Sequence, residues 1–148
     1  MELKFTVKAI IERPVDEVFD AVYNSEKLSN YFTTGSAKGN MDEGKTVTWD
    51  FADFPGEFPV EVKKCEKNSL ITFEWGSSDK SGNNNTVTLE FKILESNRTQ
   101  VIITESGWEE NEKGLEASYG NCYGWTQMLC AMKVWIEHGI NLREGFFK

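Results

Sequence analysis

The sequence has few of the residues that build metal, disulfide and nucleophilic sites. Its 148 residues include a single histidine, His138, and three cysteines. A zinc site takes several Cys, His or carboxylate ligands at set spacings, and no Cys-x-x-Cys or His-carboxylate pair at helical spacing is present. Serine–histidine catalysis would depend on His138 alone, which we expect to contact the carbonyl end of a helix instead. We therefore predict no metal, no cofactor and no catalytic residue.

Disulfides and membrane segments are also unsupported. Cys122 and Cys130 lie eight residues apart on one predicted helix, a separation of about 12 Å that is too long to bridge. Cys65 then has no obvious partner. Near the amino terminus polar and apolar residues alternate, whereas a signal peptide has a continuous apolar core, and no apolar run reaches a membrane-spanning length. We predict a cytoplasmic protein with reduced thiols.

Positive charge is scarce relative to negative charge. The formal net charge is −8 and the acidic residues are scattered along the chain. Phosphate backbones and anionic lipids are repelled by such a surface. The predicted partners therefore exclude nucleic acid and membranes, and the expected oligomeric state is a monomer or weak dimer.

Aromatic residues, in contrast, are abundant, and they accompany a long amphipathic stretch. Aromatics make up 13% of the chain, with five Trp and ten Phe. A helix is predicted from Ser118 to Glu137, ending at His138-Gly139, with an apolar arc covering about half of its circumference. Such a wide arc requires other elements to pack along the whole helix.

The remaining periodicities predict strands with two short helices among them. Residues 2–12 alternate as a half-buried strand, a helix follows Pro14, and a second short helix runs through Leu28 to about Tyr31. About six antiparallel strands follow, with a break at 54–56 and a polar loop at 77–85. We predict an α+β fold in a single domain, 1–148, in which a curved antiparallel sheet of about six or seven strands wraps around the C-terminal helix.

This order of elements resembles the helix-grip fold of the START/Bet v 1-like (SRPBCC) superfamily. More narrowly, the sequence resembles the Hsp90 ATPase activator homologue 1-like family, although Tyr31 stands where that family more often has Trp. The residues that carry the resemblance are Pro14, Val18, Phe19, Leu28, Tyr31-Phe32, the segment 70–75, Ser106-Gly107-Trp108, Gly124-Trp125, Leu129 and the segment 133–139.

The resemblance implies a cavity between sheet and helix that holds a small hydrophobic or aromatic molecule. The first predicted function is thus non-catalytic binding of such a ligand. The alternatives are a protein-interaction module resembling the C-terminal domain of an Hsp90 ATPase-activating co-chaperone, with a chaperone as partner, and a cyclase- or hydrolase-like enzyme, which lacks an evident acid–base pair. The predicted cavity residues are Tyr31, Phe32, Trp49, Phe51, Phe73, Trp75, Trp108, Gly124, Trp125 and Met128.

Two residues leave alternatives open. Glu105 shares a strand face with Val101 and Ile103, but the sequence pattern does not fix the direction of that face, and we expect Glu105 to face solvent. If it pointed inward, burial would raise its pKa. Gly124 lies inside the predicted helix, where glycine is unfavourable. It either leaves room for a ligand or allows close packing of the helix backbone on a strand.

Overall fold

The computed structural model describes residues 1–52 and 54–146, without the side chains of Phe54 and Pro55. Its elements follow the predicted α+β order of one strand, two short helices, further strands and a long helix. In chain order they are β1 Lys4–Ile11, α1 Val15–Tyr23, α2 Ser25–Leu28, β2 Ser36–Lys38, β3 Thr46–Phe51, β4 Phe54–Glu66, β5 Leu70–Gly76, β6 Asn84–Glu95, β7 Arg98–Ser106 and α3 Glu112–His138.

The described strands form one antiparallel sheet of seven strands in the order β1-β7-β6-β5-β4-β3-β2. From β2 to β7, each strand pairs with the next one along the chain. Strand β1 lies at one edge of the sheet and pairs with β7. Alternate residues of β6 and β7 are buried on one face of the sheet, as the period-two patterns predict. The predicted sheet gripping a long helix is confirmed.

The two short helices follow local signals. Pro14 precedes α1, and Asp16 and Glu17 lie in its first turn, where the helix dipole favours negative charge. Asn24 caps α2 by accepting hydrogen bonds from the backbone N–H groups of Glu26 and Lys27. The helix ends at Leu28 and the chain continues in hydrogen-bonded turns, so the prediction of a helix reaching Tyr31 was wrong by about one turn.

The long helix begins earlier than predicted. It starts at Glu112 instead of Ser118, because Asn111 accepts a hydrogen bond from the N–H of Gly114. Asn111 thereby caps a turn within the acidic segment 109–117. The predicted end is confirmed: Gly139 follows the helix with φ of 71°, a left-handed conformation that glycine adopts without strain. The full helix has 27 residues.

Two strand predictions also need correction. The expected break at 54–56 is wrong, because β4 already begins at Phe54, whose backbone pairs with Phe51 of β3. Proline is tolerated near the start of a strand, where its missing N–H need not pair. The polar loop is shorter than predicted, since Asn84 and Asn85 belong to β6, and Asn85 is fully buried.

The core lies between the sheet and the three helices. The buried cluster includes residues of β6 and α3, among them Val87, Leu89, Phe91, Leu129 and Met132. Phe5, Val7 and Ile136 pack against it while partly exposed. Leu3 is buried but lies outside this cluster.

Two glycines of α3 are expected to respond oppositely to alanine. A Cβ at Gly124 meets no described heavy atom within 4 Å beyond the helix's own backbone, so close packing on a strand does not explain it. Gly124→Ala should stabilise the fold by about 0.5–1 kcal/mol, because alanine favours helix. A Cβ at Gly114 would overlap the Glu109 carbonyl oxygen, and Gly114→Ala should cost about 1–3 kcal/mol.

Chemical denaturation of both variants checks this expectation. Gly120→Ala is the matched control for Gly124→Ala, since a Cβ there also meets nothing within 4 Å. Destabilisation by Gly124→Ala but not by Gly120→Ala would show an unrecognised contact at Gly124.

Candidate functional site

Seven aromatic side chains on the inner side of the sheet, on α3 and after α2 contact one another, and we call them the aromatic cluster. The members are Phe32, Trp49, Phe51, Phe58, Phe73, Trp75 and Trp125. Strands β3, β4 and β5 contribute five of them through inward-facing alternate positions. Phe32 comes from the segment after α2, and Trp125 from α3.

The aromatic cluster is tightly packed at its centre and partly open at one side. Its ring centroids are 5.0 to 6.2 Å apart, mostly in edge-to-face or tilted pairs. Phe73 is completely buried, whereas Phe51, Phe58 and Trp75 are half-buried. On the open side the guanidinium carbon of Arg143 lies 5.6 Å from the Phe51 ring centroid. Three rings at the edge of the aromatic cluster thus keep part of their surface exposed.

Beside the aromatic cluster, Glu105 of β7 is buried with none of its surface exposed. The expectation that it faces solvent was wrong. Its carboxylate accepts hydrogen bonds from four side chains on three elements. The donors are Trp75 Nε1 at 2.9 Å, Asn85 Nδ2 at 2.9 Å, Asn121 Nδ2 at 3.0 and 3.1 Å, and Trp125 Nε1 at 2.8 Å.

The hydrogen bonds explain how a carboxylate can lie in this position. Burial raises the pKa of Glu105 above its ordinary value, while the four N–H donors act in the opposite direction. Among the described residues no cationic side chain forms an ion pair with it. Any charge on Glu105 is therefore stabilised by neutral donors alone, two of which are indoles of the aromatic cluster.

The loop between β5 and β6 ties this network to the start of α3. Ser78 donates a hydrogen bond to Asn121 Oδ1 at 3.2 Å, and Trp108 Nε1 lies 3.5 Å from Ser78 Oγ. Asp79 accepts from the backbone N–H of Glu109 at 3.0 Å. Partial burial would raise the pKa of Asp79, but its hydrogen bonds outweigh burial and hold the pKa well below its usual range.

Six of the ten predicted cavity residues belong to the aromatic cluster, and four do not. Tyr31 is fully buried, stacks on Trp135 and donates its hydroxyl hydrogen bond to the Ala21 carbonyl. Trp108 packs against Phe5 at a centroid distance of 5.6 Å. Met128 is buried in the core, and Gly124 is half-buried next to Trp125 in the chain.

The predicted site residues did not include Phe58, Asn85, Glu105 or Asn121. A signal existed for Asn85 and Glu105, because each continues the inward face of its strand beyond apolar residues at every second position. Phe58 likewise shares a face with Val60 and Val62. Asn121 has no such signal, since it lies beside the apolar arc of α3.

No group of three or more His, Cys, Asp or Glu side chains suited to a metal ion occurs in 1–52 and 54–146. Within the same part of the chain no helix is both long and apolar enough to cross a membrane. Cys65, Cys122 and Cys130 are free thiols.

With the fold and site described, comparison with known proteins gives the family. The family model described as activator of Hsp90 ATPase homolog 1-like protein matches residues 12–137. The chain belongs to this family. Membership, together with the SRPBCC-type fold, supports a role in ligand binding or protein interaction. A comparison with curated proteins found no match.

Solved structures agree with the family assignment. A crystal structure of a Staphylococcus saprophyticus protein is 27% identical, covers 95% of this chain and 96% of its own, and has a TM-score of 0.79. The Aha1 dimer from Colwellia psychrerythraea, solved in solution, is 19% identical with coverages of 92% and 97% and a TM-score of 0.73. An HSP90 activator from Plasmodium falciparum is 22% identical with coverages of 92% and 96% and a TM-score of 0.72. The latter two likenesses concern the fold alone.

Proposed function

We propose that this family member binds a small hydrophobic or aromatic molecule against the aromatic cluster, without chemical conversion. The observation that carries the proposal is the half-open set of contacting rings between sheet and α3. Rings that are half-exposed at one side, such as Phe51, Phe58 and Trp75, offer apolar surface that a flat ligand can bury.

The position of Trp75 supports the same conclusion. One edge of its indole donates to buried Glu105, while the residue remains half-buried at the open side of the aromatic cluster. The hydrogen bond fixes the ring orientation before any ligand arrives. A fixed aromatic wall binds a flat ligand with little loss of conformational entropy.

A titration with 2-ethylnaphthalene, an uncharged aromatic hydrocarbon, tests this function. In ¹H–¹⁵N spectra the indole N–H signals of Trp49, Trp75 and Trp125 should shift, and that of Trp135, which lies outside the aromatic cluster, should not. Phe58→Ala should weaken binding about tenfold, because one aromatic contact is lost. Tyr119→Ala, on the exposed face of α3, is the control and should bind normally.

Two results would contradict the proposal. Indole signals that stay unchanged up to the solubility limit of the hydrocarbon would mean that the rings form a closed core. A shift confined to Trp135 would place binding near α1 and α2 instead.

A second candidate function is interaction with a chaperone, and the specific finding in its favour is the family itself. On α3, Tyr119 and Tyr123 are one helical turn apart and are 64% and 62% exposed, and exposed aromatic side chains are enriched in protein interfaces. Co-purification of Hsp90 with the wild-type chain, lost in a Tyr119→Ser/Tyr123→Ser variant, would favour this function. If Hsp90 still co-purifies with the variant, the surface around Tyr119 and Tyr123 is not the chaperone-binding site.

A further inference from the structure

One tryptophan of the aromatic cluster has a buried N–H group without a partner. Trp49 is 2% exposed, and its Nε1 forms no hydrogen bond with any described residue. The other two cluster indoles, Trp75 and Trp125, both donate to Glu105. A buried donor without an acceptor is uncommon in folded proteins and costs stability. The missing acceptor at Trp49 therefore calls for a physical explanation.

The surroundings of Trp49 consist of other rings. Phe32, Phe73 and Trp75 lie 5.6, 5.2 and 5.9 Å from it, with interplanar angles of 84°, 72° and 86°. An acceptor for the Trp49 N–H could come from a molecule that enters the aromatic cluster. The Trp49 ring contacts the half-buried Trp75, so a ligand bound on Trp75 lies one ring away from this donor.

The charge around the aromatic cluster restricts what that acceptor can be. Glu105 is a buried carboxyl group in contact with two of the cluster indoles, and its hydrogen bonds come from neutral groups only. The whole chain carries a formal net charge of −8. The Arg143 guanidinium lies over Phe51 at the edge of the cluster, whereas Trp49 contacts Trp75, whose N–H donates to Glu105. Near Trp49 a neutral acceptor is therefore favoured over a ligand carboxylate or phosphate.

We propose that the ligand of the aromatic cluster is an uncharged aromatic or apolar molecule with a hydrogen-bond acceptor, such as a ketone or ester carbonyl, and that Trp49 Nε1 donates to that acceptor. This inference rests on the proposed function and adds the chemical class of the ligand. It also assigns Trp49 as the residue that distinguishes a carbonyl compound from a hydrocarbon of the same shape.

A competing explanation is that the Trp49 N–H points at the face of a neighbouring ring. Such N–H···π contacts are weakly stabilising. Ligand binding separates the two explanations. If a ring face already holds the N–H, the wild type gains nothing from an acceptor on the ligand, whereas an N–H without a partner gives a preference for such a ligand that Trp49→Phe removes.

The decisive experiment compares three ligands by calorimetric titration: 2-acetylnaphthalene, 2-ethylnaphthalene and 2-naphthoate. The wild type should bind the ketone about tenfold more tightly than the hydrocarbon, the factor that one good hydrogen bond supplies. It should bind the anion most weakly. In Trp49→Phe the preference for ketone over hydrocarbon should disappear, while Trp135→Phe, a Trp substitution outside the aromatic cluster, should keep it.

Failure of this inference can be distinguished from failure of the proposed function. Equal affinity for ketone and hydrocarbon in the wild type, or a preference that survives Trp49→Phe, would overturn the inference and leave hydrophobic binding intact. Tightest binding of 2-naphthoate would overturn the charge argument. Absence of binding by all three probes would overturn both proposals together.

Discussion

Replacing Glu105 with alanine is expected to destabilise the fold by about 3 kcal/mol or more. Each buried N–H left without an acceptor costs about 1–3 kcal/mol, and this substitution removes the common acceptor of Trp75, Asn85, Asn121 and Trp125. Partial entry of water and rotation of Asn121, which is half-buried, keep the loss below the sum. Urea unfolding, monitored by circular dichroism, measures this loss of unfolding free energy.

Glu105→Gln tests whether the carboxylate is needed as an acceptor on both oxygens. An amide nitrogen cannot accept, so the donors facing it lose their partner, and we expect a loss of about 1–3 kcal/mol. The matched control is Glu90→Gln, an exposed glutamate on the neighbouring strand β6, which should change stability by less than about 0.5 kcal/mol. Equal effects of the two substitutions would show that Glu105 is not held as the structure describes.

The difference in stability between wild type and Glu105→Gln should depend on pH in a defined direction. Because burial raises the pKa of Glu105, the folded state keeps the proton at pH values where the unfolded chain has released it. Its contribution to stability therefore falls as pH rises from the ordinary value of 4.5 through the raised value. Glutamine does not titrate, so the stability advantage of wild type over Glu105→Gln should grow on acidification from neutral pH. Carboxylates with lowered pKa, such as Asp79, act oppositely in both proteins and cancel.

Periodicity was sufficient to predict most of the fold. The alternation of Trp49 and Phe51, and of Phe73 and Trp75, identified which side chains face the helix, because a strand places every second residue on one side. The apolar arc of α3 then required a curved sheet around it. These signals are local, and each depends on residues within one element.

Glu105 shows where such local reasoning fails. The alternation put it on the same strand face as Val101 and Ile103, but the pattern did not fix the direction of that face, which the structure shows to be buried. The outcome depended on donors from residues 75, 85, 121 and 125, which are separated by up to 50 positions in the chain. Only strand register and the docking of α3 bring them together. A buried polar network of this kind cannot be derived from any one segment.

The early start of α3 has a different physical cause. The acidic segment 109–117 has no apolar stripe, yet Asn111 caps a turn there. A cap stabilises the first turn by satisfying backbone N–H groups, independently of hydrophobic patterning. Gly114 then allows the close approach of the Glu109 carbonyl. In this segment the Asn111 cap, and not hydrophobic periodicity, determines where the helix starts.

Replacing Phe73 with alanine is expected to cost about 3–5 kcal/mol, as large-to-small changes of buried aromatics do. Phe73 is fully buried and contacts three tryptophans of the aromatic cluster, Trp49, Trp75 and Trp125. Neighbouring rings on both sheet and helix prevent the backbone from closing the space that is left. Urea unfolding should therefore give a lower midpoint with an unchanged dependence of free energy on urea concentration.

The control for Phe73→Ala is Ile93→Ala on β6, because Ile93 is 67% exposed and its truncation opens no buried space. It should change stability by less than about 0.5 kcal/mol. A loss below about 1 kcal/mol for Phe73→Ala would mean that the surrounding rings can collapse into the vacated volume. The aromatic cluster would then be too mobile to hold the Trp49 N–H at a fixed position, and selective binding of a carbonyl ligand would lose its structural basis.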